Sequence, residues 1–496
     1  MEPQLQILFV TPEVTPFART GGLGDVASAL GKALAACGHE VRIVMPLYQV
    51  VRDQNLPLRP ALVDVRVPHG PGTRSMRVLQ ADLPGPPHQA DTVNTISIYF
   101  IEQEDYFARP GLYGNGSGDY PDNAERFIFF CRAVLALMSS LDWWPDVLHC
   151  HDWQTALLAA YKRFLPGLDQ RLYPIPLIYT IHNLAYQGIF PAWTMSATGL
   201  PLTLFHPGGV EFYGNLNMMK AGLLYADYLT TVSPSYAAEI CTPEFGFGLD
   251  GVLNMRRSAL QGILNGADYN VWNPETDAAI AAPYTASALQ GKTACKAALL
   301  RTYDLPEDLE TPLIGMISRL VDQKGVDILA AALERLLGMG ARLVILGSGE
   351  PQYQDLLVSQ ASAHPGRMGV RLEFNDELAH QIEAGSDCLL MPSRYEPCGL
   401  SQLYSMRYGT IPIVRATGGL RDTVRPYQAE TGEGTGFVFQ EPTAEALLQA
   451  VRAALTTYAN RTAWQQLIRH AMAQDFSWEQ SAKQYLALYD QVLNTP

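Results

Sequence analysis

No apolar run in this 496-residue chain approaches the roughly twenty residues needed to cross a bilayer. The N-terminus has no basic stretch leading into an apolar one, only an acidic residue and then a strand-like run, Leu5 to Val10. Positive charge is also short. The 35 Lys and Arg against 49 Asp and Glu leave a formal charge of -14, which argues against nucleic acid or an acidic membrane surface as the main partner. A local basic site can still hold a small anion inside such a chain. The seven cysteines, Cys37, Cys131, Cys150, Cys241, Cys295, Cys388 and Cys398, are odd in number and show no C-x-x-C spacing. That argues against a disulfide framework or a zinc motif and fits free thiols in a reducing compartment. Low-complexity tracts are absent, and 48% of residues are hydrophobic against 17% charged, so the chain is expected to fold throughout as a soluble, cytoplasmic protein. Its length exceeds one ordinary core and suits two domains of Rossmann size.

What the chain does have is a tetrad used twice. Thr20-Gly21-Gly22-Leu23-Gly24-Asp25 lies near the start and Thr417-Gly418-Gly419-Leu420-Arg421-Asp422 near the end. Each follows a strand-like run, and each suggests a glycine-permitted approach of backbone to something bulky. Gly21 and Gly22 carry no side chain to block a phosphate, Asp25 is placed to cap the next helix, and Arg19 adds a cation. A plain structural turn is the competing reading of either copy alone. Two copies far apart suggest two α/β domains facing one ligand.

Apolar runs alternate with helical periodicity from Ile7–Val10 through Val41–Met45, Ile96–Ile101, Val147–Cys150, Leu177–Ile181 and Tyr228–Val232. A second series follows: Leu313–Ile317, Leu343–Leu346, Val370–Phe374, Cys388–Met391 and Ile411–Val414. This is the order of parallel sheets, which bind ligands at the carboxyl ends of their strands. The irregular stretch from Asn265 to Lys292 reads as the crossing, giving domains of residues 1–263 and 264–475, with a final segment, 476–496, that carries an amphipathic helix from Trp478 to Leu493.

In the second domain Ser318-Arg319 ends a strand and Lys324 follows in a tight turn, so two cations can converge on a diphosphate, although a solvated Arg/Lys pair would show the same spacing. The segment Ser393-Arg394-Tyr395-Glu396-Pro397-Cys398-Gly399-Leu400-Ser401-Gln402 leaves a strand and enters a helix. A carboxylate at such a corner can accept hydrogen bonds from a pair of sugar hydroxyls, with helix N-terminal amides beside it.

With these residues the chain resembles the bacterial glycogen synthase and plant starch synthase family of retaining glucosyltransferases. The ordered matches are T-G-G-L-G-D-V (20–26), H-D-W (151–153), T-I-H-N-L (180–184), K-A-G-L (220–223), V-S-P (232–234), G-I-L-N-G (262–266), S-R-L-x-x-Q-K-G (318–325), E-P-C-G-L (396–400) and T-G-G-L-x-D-T (417–423). The resemblance implies two Rossmann-like α/β domains facing across a cleft, the GT-B architecture, with the last helix returning to the first domain. It implies transfer of glucose from ADP-glucose, as substrate, to the non-reducing 4-hydroxyl of an α-1,4-glucan such as glycogen or a maltooligosaccharide, with no cofactor and no metal.

Carried over by position, the resemblance places Gly21 and Gly22 near the distal phosphate and glucose, and Asp25 near the donor or reacting oxygen. His182 would present its backbone carbonyl or ring to the anomeric carbon, and Asn265 would bind around the sugar. Arg319 and Lys324 would grip the diphosphate, Glu396 the glucose hydroxyls, and the backbone of Cys398, Gly399 and Leu400 the glucose. Thr417 and Gly418 would approach the phosphate. Arg19 stands where the family usually has Lys, which leaves ADP- against UDP-glucose preference open.

Acceptor recognition calls for aromatic faces with polar neighbours, and Tyr106, Phe107 and Tyr113 around Arg109-Pro110-Gly111, with Asp152, Trp153, Tyr186 and Gln187, are the candidates, core packing being the competing role for each aromatic. His149 and His151 lie two apart at a strand end, but no ligand set with metal spacing accompanies them. Two other functions stand beside the synthase reading: a different retaining glucosyltransferase with a UDP-glucose donor or small acceptor, and a non-catalytic glycan- or nucleotide-sugar-binding homologue. Oligomeric state is not legible.

Overall fold

A computed structural model describes residues 4–70, 72–87, 93–116 and 118–494. The chain divides into two compact units, one of Met1–Val232, Ala237–Ile263 and Trp478–Pro496, the other of Ser233–Tyr236 and Leu264–Ser477.

The first unit is built on a nine-stranded sheet. Leu260–Gly262, Tyr228–Thr231, Leu177–Ile181, Val147–His151, Gln6–Val10, Glu40–Pro46 and Val93–Glu102 lie side by side in that order, all parallel. Every residue of Leu177–Ile181 and Val147–His151 is buried, as expected where helices cover both faces of a parallel sheet. Gly72–Pro87 and Arg59–His69 extend the sheet antiparallel. This pair goes unread in the sequence because Pro60, Pro68, Pro84, Pro86 and Pro87 interrupt its alternation, and Arg59–His69 is a largely exposed edge where proline is tolerated.

The helix expected from about Val26 begins four residues earlier and spans Gly22–Ala36. Trp478–Leu493 belongs to the same unit and packs on it through Ala482, Tyr485, Leu488 and Tyr489, all buried.

The second unit carries a six-stranded, wholly parallel sheet in the order Met368–Arg371, Arg342–Leu346, Leu313–Ile317, Cys388–Met391, Ile411–Arg415, Phe437–Phe439. The strand read as Val370–Phe374 ends at Arg371, and the short Phe437–Phe439 lacks the length to be recognised beforehand. The stretch after Asn265, expected as a crossing, is instead packed into this unit. Trp272 stacks between His380 and Tyr404 at ring separations of 3.8 and 4.0 Å, and Tyr284 is buried with its hydroxyl on Tyr408 O at 2.8 Å. Large aromatics anchor it without helical or strand period.

Candidate active site

In the second unit the site lies at the carboxyl ends of Leu313–Ile317 and Cys388–Met391. A short 3₁₀ turn, Asp322–Lys324, follows the first strand, and Gly325 at φ 68° reverses the chain so closely that a Cβ there would sit 2.0 Å from Pro392 O. Arg394 N–H donates to Gln323 O at 2.8 Å and clasps the two loops together. The clasp sets Lys324 Nζ 2.6 and 2.9 Å from the two carboxylate oxygens of Glu396, which is 5% exposed and also accepts from Ser393 Oγ at 2.9 Å. Arg319 donates to Gln323 Oε1 at 3.2 Å rather than joining Lys324 in an open cation pair. Beside the Lys324–Glu396 pair is a cavity of about 60 Å³ lined by Ser318, Lys324, Ser393, Glu396, Gly399 and Leu400, among others. Ser318 Oγ is buried there without a hydrogen-bond partner among the described residues, and so, elsewhere in the unit, is Asn265 Oδ1.

The E-P-C-G-L segment ends at Leu400, the N-cap of the helix Ser401–Arg407, with Gly399 at φ 71°. Burial pushes the Cys398 thiol up to about 12, against a hydrogen bond from the Asn265 backbone, so this sulfur is a packed group and not a nucleophile. The second T-G-G-L copy packs on this segment. Thr417 is buried, a Cβ on Gly418 would meet Glu396 O at 1.9 Å, and one on Gly419 would meet Cys398 O at 2.1 Å. Its bulky neighbour is therefore the protein's own backbone. Asp422 accepts from Ser235 N at 2.8 Å and Ser235 Oγ at 2.6 Å.

The first copy is built differently. A Cβ on Gly21 would meet nothing within 4 Å. Gly21 itself is the N-cap of Gly22–Ala36, so Asp25 sits inside the first turn and is not the cap. Asp25 Oδ1 accepts from Thr15 Oγ1 at 2.7 Å and from Arg19 Nη1 at 3.1 Å, which commits the Arg19 charge to an ion pair. Glu13, unnoticed in the sequence, lies beneath this loop. Its side chain takes Thr20 N–H at 2.6 Å, Thr20 Oγ1 at 2.7 Å, Tyr113 OH at 2.6 Å and the Gly21 N–H. Burial raises its carboxyl above the usual carboxylate range despite these donors.

Strand Val147–His151 and the residues after Leu177–Ile181 bring a group of imidazoles together in the first unit. His149 bonds Tyr489 OH at 2.8 Å and Thr180 Oγ1 at 2.6 Å, and His151 Nδ1 lies 3.0 Å from His182 Nε2. Burial lowers His149 and His182 to about 3, so both rings are neutral. These contacts occupy His149 as a satisfied core residue rather than a metal ligand. Asp152, at φ 57°, accepts His182 N–H at 2.8 Å, and burial lifts its carboxyl to about 7 against the backbone N–H groups of His182 and Asn183.

The acceptor candidates separate by exposure. Trp153 is packed against Phe127 and Phe190 and over Gly188, and Gln187 spends its amide on Phe247 O at 3.1 Å and Asn217 Nδ2 at 2.6 Å. Tyr186 is 51% exposed, and Tyr113 is tied to Glu13.

The family model for the starch synthase catalytic domain matches residues 6–255, and that for glycosyl transferases group 1 matches residues 303–470. The glycogen synthase of Syntrophotalea carbinolica is 46% identical over 485 residues, 98% of each chain. Among solved structures, the catalytic domain of starch synthase IV from Arabidopsis thaliana, bound to ADP and acarbose, aligns over 99% of this chain and 100% of its own at TM-score 0.90 and 34% identity. Sucrose-phosphate synthase from Thermosynechococcus elongatus covers 99% of each chain at TM-score 0.60 and 19% identity, a likeness of fold alone. Two parallel-sheet units with these matches along nearly the full length define a GT-B glycosyltransferase, and the chain belongs to the glycogen synthase and starch synthase family.

Proposed function

We propose that the protein transfers glucose from ADP-glucose to the non-reducing 4-hydroxyl of an α-1,4-glucan, retaining the anomeric configuration, in the cytoplasm. The observation that carries this reading is the ion pair of Lys324 with the buried Glu396 beside the cavity at the strand ends. It sets a cation and a hydroxyl-binding carboxylate within one hydrogen bond of each other. The starch synthase IV bound to ADP and acarbose supports the nucleotide and the glucan class, and the seven free thiols suit a reducing compartment.

Breaking the anomeric bond leaves positive charge on the sugar and negative charge on the departing diphosphate, so preorganised charge does most of the work. Lys324 and Arg319 act on the diphosphate, and Arg19, Asp25 and the Gly21–Gly22 loop, which presents no side chain, also serve the donor. Glu396, Asn265 and the backbone of Cys398, Gly399 and Leu400 hold the glucose, and Thr417 and Gly418 brace that backbone. His182 is neutral with its Nε2 on His151, which favours its carbonyl as the group facing the anomeric carbon. The acceptor oxygen attacks from the face the diphosphate leaves, and its proton passes to a diphosphate oxygen. Tyr186 and Asp152 serve the acceptor directly, while Tyr113, Trp153 and Gln187 shape its surroundings.

Turnover with ADP-glucose and UDP-glucose, each with glycogen, tests this directly. ADP-glucose is expected to be the better donor, and the absence of nucleotide diphosphate release with either one, on folded protein, refutes the proposal.

A further inference from the structure

We infer that Glu13 is the positioning residue of the Thr20-Gly21-Gly22 loop, and that it acts through the geometry of its two oxygens rather than through its charge. The inference rests on the donor reading above for its kinetic arm only. The loop is exposed and its helix begins on glycine, so no side-chain cap fixes Thr20 and Gly21 at the helix start. Glu13 supplies the hold from below. Its side chain is 4% exposed, and its own backbone is secured by Thr11, whose Oγ1 donates to Glu13 O at 2.9 Å. Oε2 accepts Thr20 N–H, while Oε1 accepts the hydroxyls of Thr20 and Tyr113.

With the Thr20 and Gly21 amides already satisfied by this internal carboxylate, an incoming phosphate is left the open first turn of Gly22–Ala36. A loop free to turn those two amides outward would instead offer competing, misplaced donors. Positioning of this kind raises the fraction of productive complexes without touching the substrate.

Geometry and charge can be separated by substitution. In Glu13→Gln the amide oxygen can still accept the backbone N–H groups, and the NH₂ can donate to the two hydroxyls, which turn to accept. Glu13→Asp keeps the charge but is one methylene too short to reach. We expect Glu13→Gln to retain kcat/KM for ADP-glucose within about fivefold, and Glu13→Asp and Glu13→Ala to lose roughly a hundredfold, mostly in the donor and not the glucan KM. Hydrogen exchange at the Thr20 and Gly21 amides, read in the ligand-free protein, should quicken about tenfold or more in the Asp and Ala variants only, with the rest of the unit unchanged. Retained activity in Glu13→Asp together with loss in Glu13→Gln would overturn the inference in favour of charge. Unchanged exchange in Glu13→Ala would overturn it outright. If the parent protein transfers glucose from no donor, the proposed function fails, and the exchange arm still decides the role of Glu13.

Discussion

Removing the Lys324 ammonium should cost both stability and turnover, and the structure allows the two to be told apart. In Lys324→Ala, Glu396, 5% exposed in the parent, keeps Ser393 Oγ at 2.9 Å but loses two contacts of 2.6 and 2.9 Å. Breaking a buried pair from one side typically costs about 3–5 kcal/mol, because the other charge is stranded. The adjoining cavity of about 60 Å³ is roomy enough to admit water, which places the expectation near the lower end, about 3 kcal/mol. For a domain of 150–250 residues each kcal/mol moves Tm by about 2–4 °C, so the transition of the second unit should fall by about 6–12 °C in calorimetry. Adding Glu396→Gln removes the stranded charge, and the double variant should melt higher than the single one. Turnover, assayed well below either transition, should fall roughly a hundredfold in both, as for loss of one preorganised charged contact. A single variant melting within about 2 °C of the parent, or a double variant no more stable than the single, would refute the stranded-charge argument. Near-normal turnover in either would remove Lys324 from the diphosphate.

Asp152, whose carboxyl burial lifts to about 7, favours the folded state fully below its unfolded value and loses that contribution as pH rises through about 7. Asp152→Asn keeps an oxygen for the His182 and Asn183 amides, so its melting temperature should gain on the parent between about pH 4 and 7 and hold the gain at pH 8. An equal difference at pH 4 and 8 contradicts this. Gly21→Ala meets open space at φ −165° and should melt within about 1 °C of the parent, with any rise in donor KM reporting the ligand directly. Gly419→Ala drives a methyl to within 2.1 Å of Cys398 O, and an unshifted melting curve for it would show that the T-G-G-L and E-P-C loops are not packed together.

What was legible in the sequence followed local period. The parallel strands read correctly where burial on both faces makes the run wholly apolar, as in Cys388–Met391, and the last helix, Trp478–Leu493, reads to the residue because its buried stripe repeats over sixteen positions. Groups that meet across the fold have no such period. Glu13 is seven residues from Thr20 and a hundred from Tyr113, and its neighbours Pro12 and Val14 mark it only as a charge in an irregular loop.

The doubled tetrad shows how far a motif can be read without its surroundings. Both copies open a helix, yet the glycines serve opposite needs. Gly21 leaves open space where a side chain would stand, while Gly418 and Gly419 admit the Glu396–Cys398 backbone to within contact distance. Their aspartates differ in the same way, Asp25 tying Thr15 and Arg19 within its own loop and Asp422 reaching a distant Ser235. Glycine reports only that something must come close. In the second unit that something is the carboxylate segment of the proposed site, so a substitution there perturbs Glu396 through backbone packing before any ligand arrives, whereas one at Gly21 meets open space.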